Sequence, residues 1–450
     1  MAIPAVVDSL LREHNIQYDV AAIPPHEAPA GAAQTALLRD GDQQLHVIYP
    51  ANTLLDLNAL NQLAGCTLRA MPESAVIALC QRRNLQHLSA VPGAMGLTTL
   101  VDKKLLAADT VILASGDADD FLYLRPEQFQ NSLDGARLGH FSVDIAGLQH
   151  GRMDDIEDLD DITHAVADFT QLRIKQRLEE TLEIPPLPET AQRILKLRVD
   201  PYADVRDLTT LVETDPPLAA QVVSWATSPY YAYTGKIKSV HDAIVRVLGF
   251  DVVLNLALGM VLGKSLSAPK DSPKDFTPYW PQAVYCATAV EALVGTMPSG
   301  KRPTIGIAYL AGLLHNFGHL VMAEVFPPHF SSYCRFQEAN PHVSYTVIER
   351  FLLGVTRDQL SGWLMRLWSM PEEVGLALRF QNEQDYSGPG HEYANLIFIA
   401  TRLLRLHGVG NAPPEPVPEE MYARLHLDPG KAAQAIQHVV DASEEIISKL

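Results

Sequence analysis

The pentapeptide His315-Asn316-Phe317-Gly318-His319 carries the side chains best placed for chemistry in this chain. It closes an apolar segment, Ile305 to Leu314, that reads as a buried helix. A histidine beside a carboxylate can offer two ligands to a divalent cation. Here the second residue is Asn316, and a neutral amide lacks the carboxylate charge that such an ion favours. A metal that activates water for attack on phosphorus needs several His and carboxylate ligands from different helices. His315 is one plausible ligand, and a single histidine does not hold a catalytic metal. Downstream, Gly354-Val355-Thr356-Arg357 brings in Arg357, a permanent cation and a very poor ligand. It reads either as a solvated helix residue or as a charge that lets a pocket bind phosphate or carboxylate. His319 reads as a residue near the surface, just past the helix.

The elements around these residues are nearly all helical. Leu187, Ala191, Ile194 and Leu195 have the spacing of one buried helix face. Asp215-Pro216 is a helix start, an N-cap carboxylate followed by Pro in the first turn. Ser239 with Asp242 resembles a capping box, and Gly249 ends the apolar stripe that follows it. Asp251 is expected to cap a very apolar helix over residues 252–262, and residues 432–450 form a last amphipathic helix. Residues 413–418 read as a Pro-rich exposed connector.

Before residue 148 the pattern is mixed. Residues 45–49, 110–114 and 121–124 are short β-rich runs, and residues 53–63 and 73–80 have helical spacing. Between the two regions lies the acidic run Met153-Asp154-Asp155-Ile156-Glu157-Asp158-Leu159-Asp160-Asp161. It reads as a solvated linker or the start of a charged connecting helix. The fold class is thus multidomain α+β. A mixed α/β domain over 1–148 is followed by an acidic linker over 149–174, an all-α bundle over 175–385 and a helical extension over 386–450.

Four stretches of the helical region together resemble the HDOD domain, a signalling relative of the HD phosphohydrolases. They are Ile184-Pro185-Pro186-Leu187-Pro188; the run from Asp215-Pro216-Pro217-Leu218; Ser239-Val240-His241-Asp242-Ala243-Ile244 with Val247-Leu248-Gly249-Phe250; and Ala311-Gly312-Leu313-Leu314-His315-Asn316-Phe317-Gly318. The resemblance implies a compact helical bundle over about 175–385. An active HD enzyme would carry a His-Asp doublet where this chain has His315-Asn316. It would also carry a histidine in the helix before it, where Trp280-Pro281-Gln282-Ala283 places Gln282. Arg357 stands where another histidine often occurs, and Arg379-Phe380-Gln381-Asn382 stands where histidines commonly follow the Trp368-Ser369-Met370-Pro371 region. The resemblance therefore implies a vestigial pocket made of Gln282, His315, Asn316 and Arg357.

The N-terminal region is similar to the YbaK-like aminoacyl-tRNA editing deacylases. The match rests on residues 45–50, on Leu54, Asp56 and Leu57 with Leu60, on the helix from Glu73, on Val91-Pro92-Gly93-Ala94, and on residues 110–114 with Ser115-Gly116-Asp117. Active members carry a lysine where Ala33-Gln34-Thr35 places Gln34. Gln34 has no charge with which to fix an acceptor-end phosphate or polarise an ester. The turn after Gly93 also departs from the Pro-rich family pattern. Gln34, Gly93 and Asp117 would line a vestigial deacylase pocket; His26 and Asp117 read first as polar loop residues.

The chain of 450 residues is long enough for two or three domains, and 47% hydrophobic with 20% charged residues is ordinary for globular protein. A formal net charge of −18, with 9 Lys+Arg against 16 Asp+Glu in residues 1–150, disfavours nucleic acid as a partner. Cys66, Cys80, Cys286 and Cys334 are scattered, which fits neither a disulfide framework nor a zinc site, and points to a reducing compartment. The longest apolar run, near residues 252–263, is too short to span a bilayer, and no signal peptide is apparent. The expected protein is cytoplasmic and regulatory. Its two enzyme-like modules lack catalytic residues, a metal site and a cofactor. The HDOD-like module would be a protein-interaction output, and the deacylase-like module a ligand sensor or docking unit. Its partners would be proteins of a signalling pathway, with no membrane. Two alternatives stay open: aminoacyl-tRNA deacylation by the first domain, and binding of a small molecule or nucleotide by Arg357.

Overall fold

A computed structural model describes residues 3–22, 29, 31–117, 120–149, 158–169, 187–227, 231, 233–266, 269, 271–274, 276–413 and 415–447. His26, the Ile184-Pro185-Pro186 motif and residues 153–157 of the acidic run lie outside them. The chain forms two compact units. The first is Met1–Gly151 together with Ser332–Val343, and the second is Arg152–Ser331 together with Ser344–Leu450.

The described residues of the first unit hold ten strands: β1 (Asp19–Ala22), β2 (Ala33–Asp40), β3 (Gln43–Pro50), β4 (Thr53–Leu55), β5 (Arg69–Ala70), β6 (Thr98–Asp102), β7 (Val111–Ala114), β8 (Asp120–Leu124), β9 (Arg137–Gly139) and β10 (Ser142–Asp144). They make a five-stranded sheet in the order β5-β2-β3-β6-β9, a three-stranded sheet β1-β8-β7 and a β10-β4 pair. β2 and β3 form a tight hairpin in which Asp40 faces Gln43 and Gly41 takes a φ of +54°. β3 runs parallel to β6, and the crossover that a parallel pair requires carries the Leu57–Ala64 and Glu73–Arg82 helices. Leu45, His46, Val47, Ile48 and Tyr49 of β3 are all buried, the pattern of a strand covered on both faces.

Residues 53–63 are not one helix. Thr53–Leu55 is β4, paired with β10 far along the chain, and Asp56 then caps the helix that begins at Leu57. Its carboxylate accepts the Asn58 and Ala59 N–H groups at 2.9 and 3.2 Å. Local spacing cannot reveal a strand whose partner is so distant. The other face of this segment is closed by Asn340, whose side chain pairs with both backbone groups of Leu55.

The described residues of the second unit form helices and turns, with no strand among them. Asp215 accepts the Leu218 N–H at 3.1 Å, and Ser239 accepts the Asp242 N–H at 3.1 Å. The Asp242 carboxylate takes the Lys238 N–H instead of closing the box on Ser239. Gly249, at φ +82°, separates that helix from the next, which starts at Phe250, ahead of the expected Asp251 cap. The Phe250–Gly263 helix is buried from Val252 onward. The Tyr279–Thr296 helix packs against the Ile305–Leu314, His391–Leu406 and Pro429–Ile447 helices. Among the described residues, Ile305–Val325 is the one stretch long and apolar enough to cross a membrane, and 94% of its apolar window is buried inside the unit. It exceeds the run at 252–263 because the polar pair His315-Asn316 interrupts it only briefly.

Candidate functional site

The Ile305–Leu314 helix ends at His315, and a second helix, Phe317–Val325, starts immediately after Asn316. His315 Nδ1 lies 2.7 Å from the Gly312 carbonyl, an acceptor, so the proton sits on Nδ1 and the lone pair on Nε2. That lone pair faces the Gln282 amide nitrogen at 3.4 Å. The Gln282 amide oxygen accepts from Asn316 Nδ2 at 3.1 Å, and the Asn316 oxygen accepts from Arg357 Nη1 at 2.9 Å. The four residues Gln282, His315, Asn316 and Arg357 thus form one continuous hydrogen-bonded chain. Gln282, His315 and Asn316 are all buried.

Arg357 is not solvated: it is 1% exposed. Its Nε meets Glu349 Oε1 at 2.5 Å, its backbone N–H donates to Glu349 Oε2 at 2.8 Å, and its guanidinium lies 3.9 Å above the Tyr345 ring. Thr356 caps the Arg357–Leu367 helix in a capping box with Gln359, which fixes Arg357 in the first turn. Gly318 lets the two helices approach so closely. A Cβ there would overlap the Arg357 carbonyl and sit 2.5 Å from the Ser361 hydroxyl. His319 is likewise no surface residue. It is buried on the Phe317–Val325 helix, stacked on Phe276 at 4.9 Å and edge-on to Phe330 at 5.0 Å.

A second layer of polar groups braces the first. Gln381 donates to the His315 carbonyl at 2.8 Å and to Asp358 Oδ1 at 2.9 Å. Asn382 donates to Asp358 Oδ2 at 2.7 Å and to the Tyr345 hydroxyl at 2.6 Å. Burial, reinforced by Glu349, pushes the Asp358 carboxyl up to about 7. Burial also raises Glu349, against the pull of Arg357. His315 is driven down to about 4, by burial first and by Arg357 as well, so its ring is neutral.

These residues do not fit a catalytic metal. The free lone pair of His315 faces an amide, and Asn316 offers its oxygen to a guanidinium. The charged group that meets Asn316 is the Arg357 cation, and Glu349 is already engaged with it. Among the described residues no group of three or more His, Cys, Asp or Glu is arranged to hold an ion. The cavity bordered by Gln282, His315, Asn316 and Tyr345 measures about 20 Å³, roughly the room one water molecule needs.

Glu349, Asp358 and the C-terminal segment were not legible as parts of this site. Glu349 lies inside the apolar Tyr345–Leu353 helix, and its burial there was the one available signal that a cation must meet it. The residues expected to be an extension after 385 supply one wall of the cavity, through Thr401, Leu404 and residues 409–412. The Arg405 guanidinium binds the Ala412 carbonyl and holds that wall in place. The acidic segment also departs from a solvated linker. Asp158 starts the Asp158–Phe169 helix and is 3% exposed, paired with Arg379 and with Gln359 Nε2 at 2.9 Å.

In the first unit the candidate residues stand on three separate elements. Gln34 is half-buried on β2 opposite Tyr49. Gly93 turns the chain after Val91-Pro92 with φ +80° and receives Gly96 N–H on its carbonyl at 2.9 Å. Asp117 follows β7, its backbone N–H bonded to Ser115 Oγ at 3.1 Å. The best-defined polar pair in this sheet is one that the sequence did not flag, Thr35 Oγ1 and His46 Nε2 at 2.7 Å.

The HDOD domain family matches residues 184–384. A crystal structure of a protein from Marinobacter aquaeolei VT8, named for signal transduction, is 42% identical; the match covers 100% of this chain and 99% of that one, with a TM-score of 0.90. The chain belongs to the HDOD-domain proteins. A protein of Treponema pallidum (strain Nichols) is 23% identical over 266 residues, or 58% of this chain, and this HDOD chain spans about half, 50%, of that relative's length. A trans-editing enzyme for prolyl-tRNA synthetase matches 31% of the chain at 18% identity and a TM-score of 0.27. The deacylase-like reading of the first unit rests on its own residues, from the 45–50 strand to Ser115-Gly116-Asp117.

Proposed function

We propose that this protein is a regulatory component of a signalling pathway, cytoplasmic, and acts through protein–protein contact rather than catalysis. Its HDOD unit is the interaction output, and its first unit is a deacylase-like sensor or docking unit. The observation that carries this reading is the occupation of the metal-doublet position by a closed amide–guanidinium chain, Gln282–Asn316–Arg357, tied to Glu349. A satisfied, buried polar network rigidifies a core and fixes the helices around it, which is what a scaffold needs. The name of the Marinobacter relative supports the pathway assignment.

The test is elemental analysis of the full chain after incubation with Mn, Fe or Zn and dialysis, alongside turnover of bis(p-nitrophenyl) phosphate. The expected result is sub-stoichiometric metal and no turnover. Stoichiometric metal or hydrolysis that disappears in His315→Ala overturns the reading.

A further inference from the structure

A second cavity of the second unit lies away from the vestigial doublet. It measures about 330 Å³ between the Arg357–Leu367 and Glu372–Phe380 helices. That volume is at the lower end of the ~300–1,000 Å³ typical of small-molecule sites. Trp363, Met370 and Leu376 give it apolar walls, and Arg366 stands beside them. At its back are Arg379 and Asp158, both buried. Asp158 takes two donors from that guanidinium, Nε and Nη2, the second at 3.0 Å. A guanidinium fork accepts any carboxylate in the same two-bond geometry. Asp158 is therefore an internal occupant of a carboxylate site that opens onto an apolar cavity.

We propose that this cavity is a ligand site for a small amphipathic monocarboxylate, whose acid group takes the place of Asp158 on Arg379. Its apolar body lies against Trp363, Met370 and Leu376. Glu372 also lines the cavity and opposes a second negative charge placed beside it. Loss of Asp158 without replacement would leave a buried guanidinium unpaired; an incoming carboxylate avoids that loss. Exchange of the two acids also releases the bond from Gln359 to Asp158. Ligand entry thereby loosens the Asp158–Phe169 helix from the helices beneath it. The inference goes beyond the regulatory reading and does not depend on it, since a catalytic protein could carry the same site.

The full chain is titrated with octanoate, 3-phenylpropanoate and indole-3-acetate, and with the three matching amides, by calorimetry and tryptophan fluorescence. At least one acid is expected to bind saturably, with its amide about tenfold weaker or more, as befits the loss of a charge-assisted bond. Asp158→Asn removes the internal competitor and is expected to bind the same acid about tenfold more tightly. Hydrogen exchange in residues 158–169 of the unmutated chain should quicken on binding. The acid–amide comparison needs no variant, and circular dichroism checks that Asp158→Asn is folded. The proposal is overturned if no acid binds either protein, if amides bind as well as acids, or if folded Asp158→Asn gains no affinity.

Discussion

Arg357 donates its Nη1 hydrogen to the side-chain oxygen of Asn316 at 2.9 Å, across a junction of helices that Gly318 allows to close. The contact turns a position suited to a metal ligand into one that solvates a buried cation. An amide is the right group for this, because it accepts from Arg357 on one side and donates to Gln282 on the other.

Restoring the acid should therefore not restore the metal site. Asn316→Asp gains a carboxylate beside Arg357, but the new charge pairs with the guanidinium, and Gln282 still occupies the next ligand position. Metal content after dialysis against Mn or Fe is expected to stay well below one ion per chain. A full equivalent bound by Asn316→Asp alone would show that Arg357 does not neutralise the site.

Removing the cation should be far more damaging than removing the pair. Glu349 is fully buried and depends on Arg357 for its charge. Arg357→Met is expected to lose about 3–5 kcal/mol in urea unfolding, as for other broken buried ion pairs. Arg357→Met combined with Glu349→Leu should recover most of that loss. Equal losses in the single and double variants would mean that packing, not charge, dominates at this position.

Asp358 gives a pH signature. Its carboxyl is raised in the fold from an ordinary 3.8 to about 7, by burial first and Glu349 second. Between these values the folded chain keeps a proton that the unfolded chain has released. The resulting stability is complete below 3.8 and is lost as pH rises through about 7. In Asp358→Asn that dependence is absent. The stability of the natural chain relative to this variant should decline from pH 4.5 to 7 and level off above it. His315, held low by burial, contributes the opposite slope in both proteins and cancels in the comparison. A difference that is flat with pH would remove Asp358 as the titrating group.

Gly318 is expected to tolerate no side chain. Alanine there meets the backbone of Arg357, not the end of a flexible side chain, so the helices must separate. Gly318→Ala should lose roughly 3 kcal/mol or more, at the upper end of overpacking effects. Gly147→Ala, on a surface with open space around the new methyl, serves as the control and should change little. Equal thermal midpoints for the two variants would contradict the close approach.

Features set by neighbouring residues were readable in the sequence. Asp215 and Ser239 cap helices because a side-chain oxygen reaches a backbone N–H three residues on, a purely local event. The types were readable in the sequence, since Gln282, Asn316 and Arg357 depart from what a metal needs and leave His315 as a lone possible ligand. Their connection into one chain was not readable. It depends on which way each amide points and on Glu349, which lies across the Gly354 turn from Arg357. The solvated alternative for Arg357 and the surface reading of His319 failed for a related reason. A polar residue in an amphipathic pattern looks solvated unless its buried partner is known. Thr53–Leu55 escaped because its ladder partner, β10, is remote in sequence.

The family match ends at residue 384, but the folded body does not. The His391–Leu406 and Pro429–Ile447 helices cover the flank of the Tyr279–Thr296 helix. A fragment cut at the family boundary would lack both helices and leave that flank bare. The family match thus ends before two of the helices that pack on the Tyr279–Thr296 helix. Synthesis must therefore pass residue 384 before the Tyr279–Thr296 helix can gain all its helical neighbours.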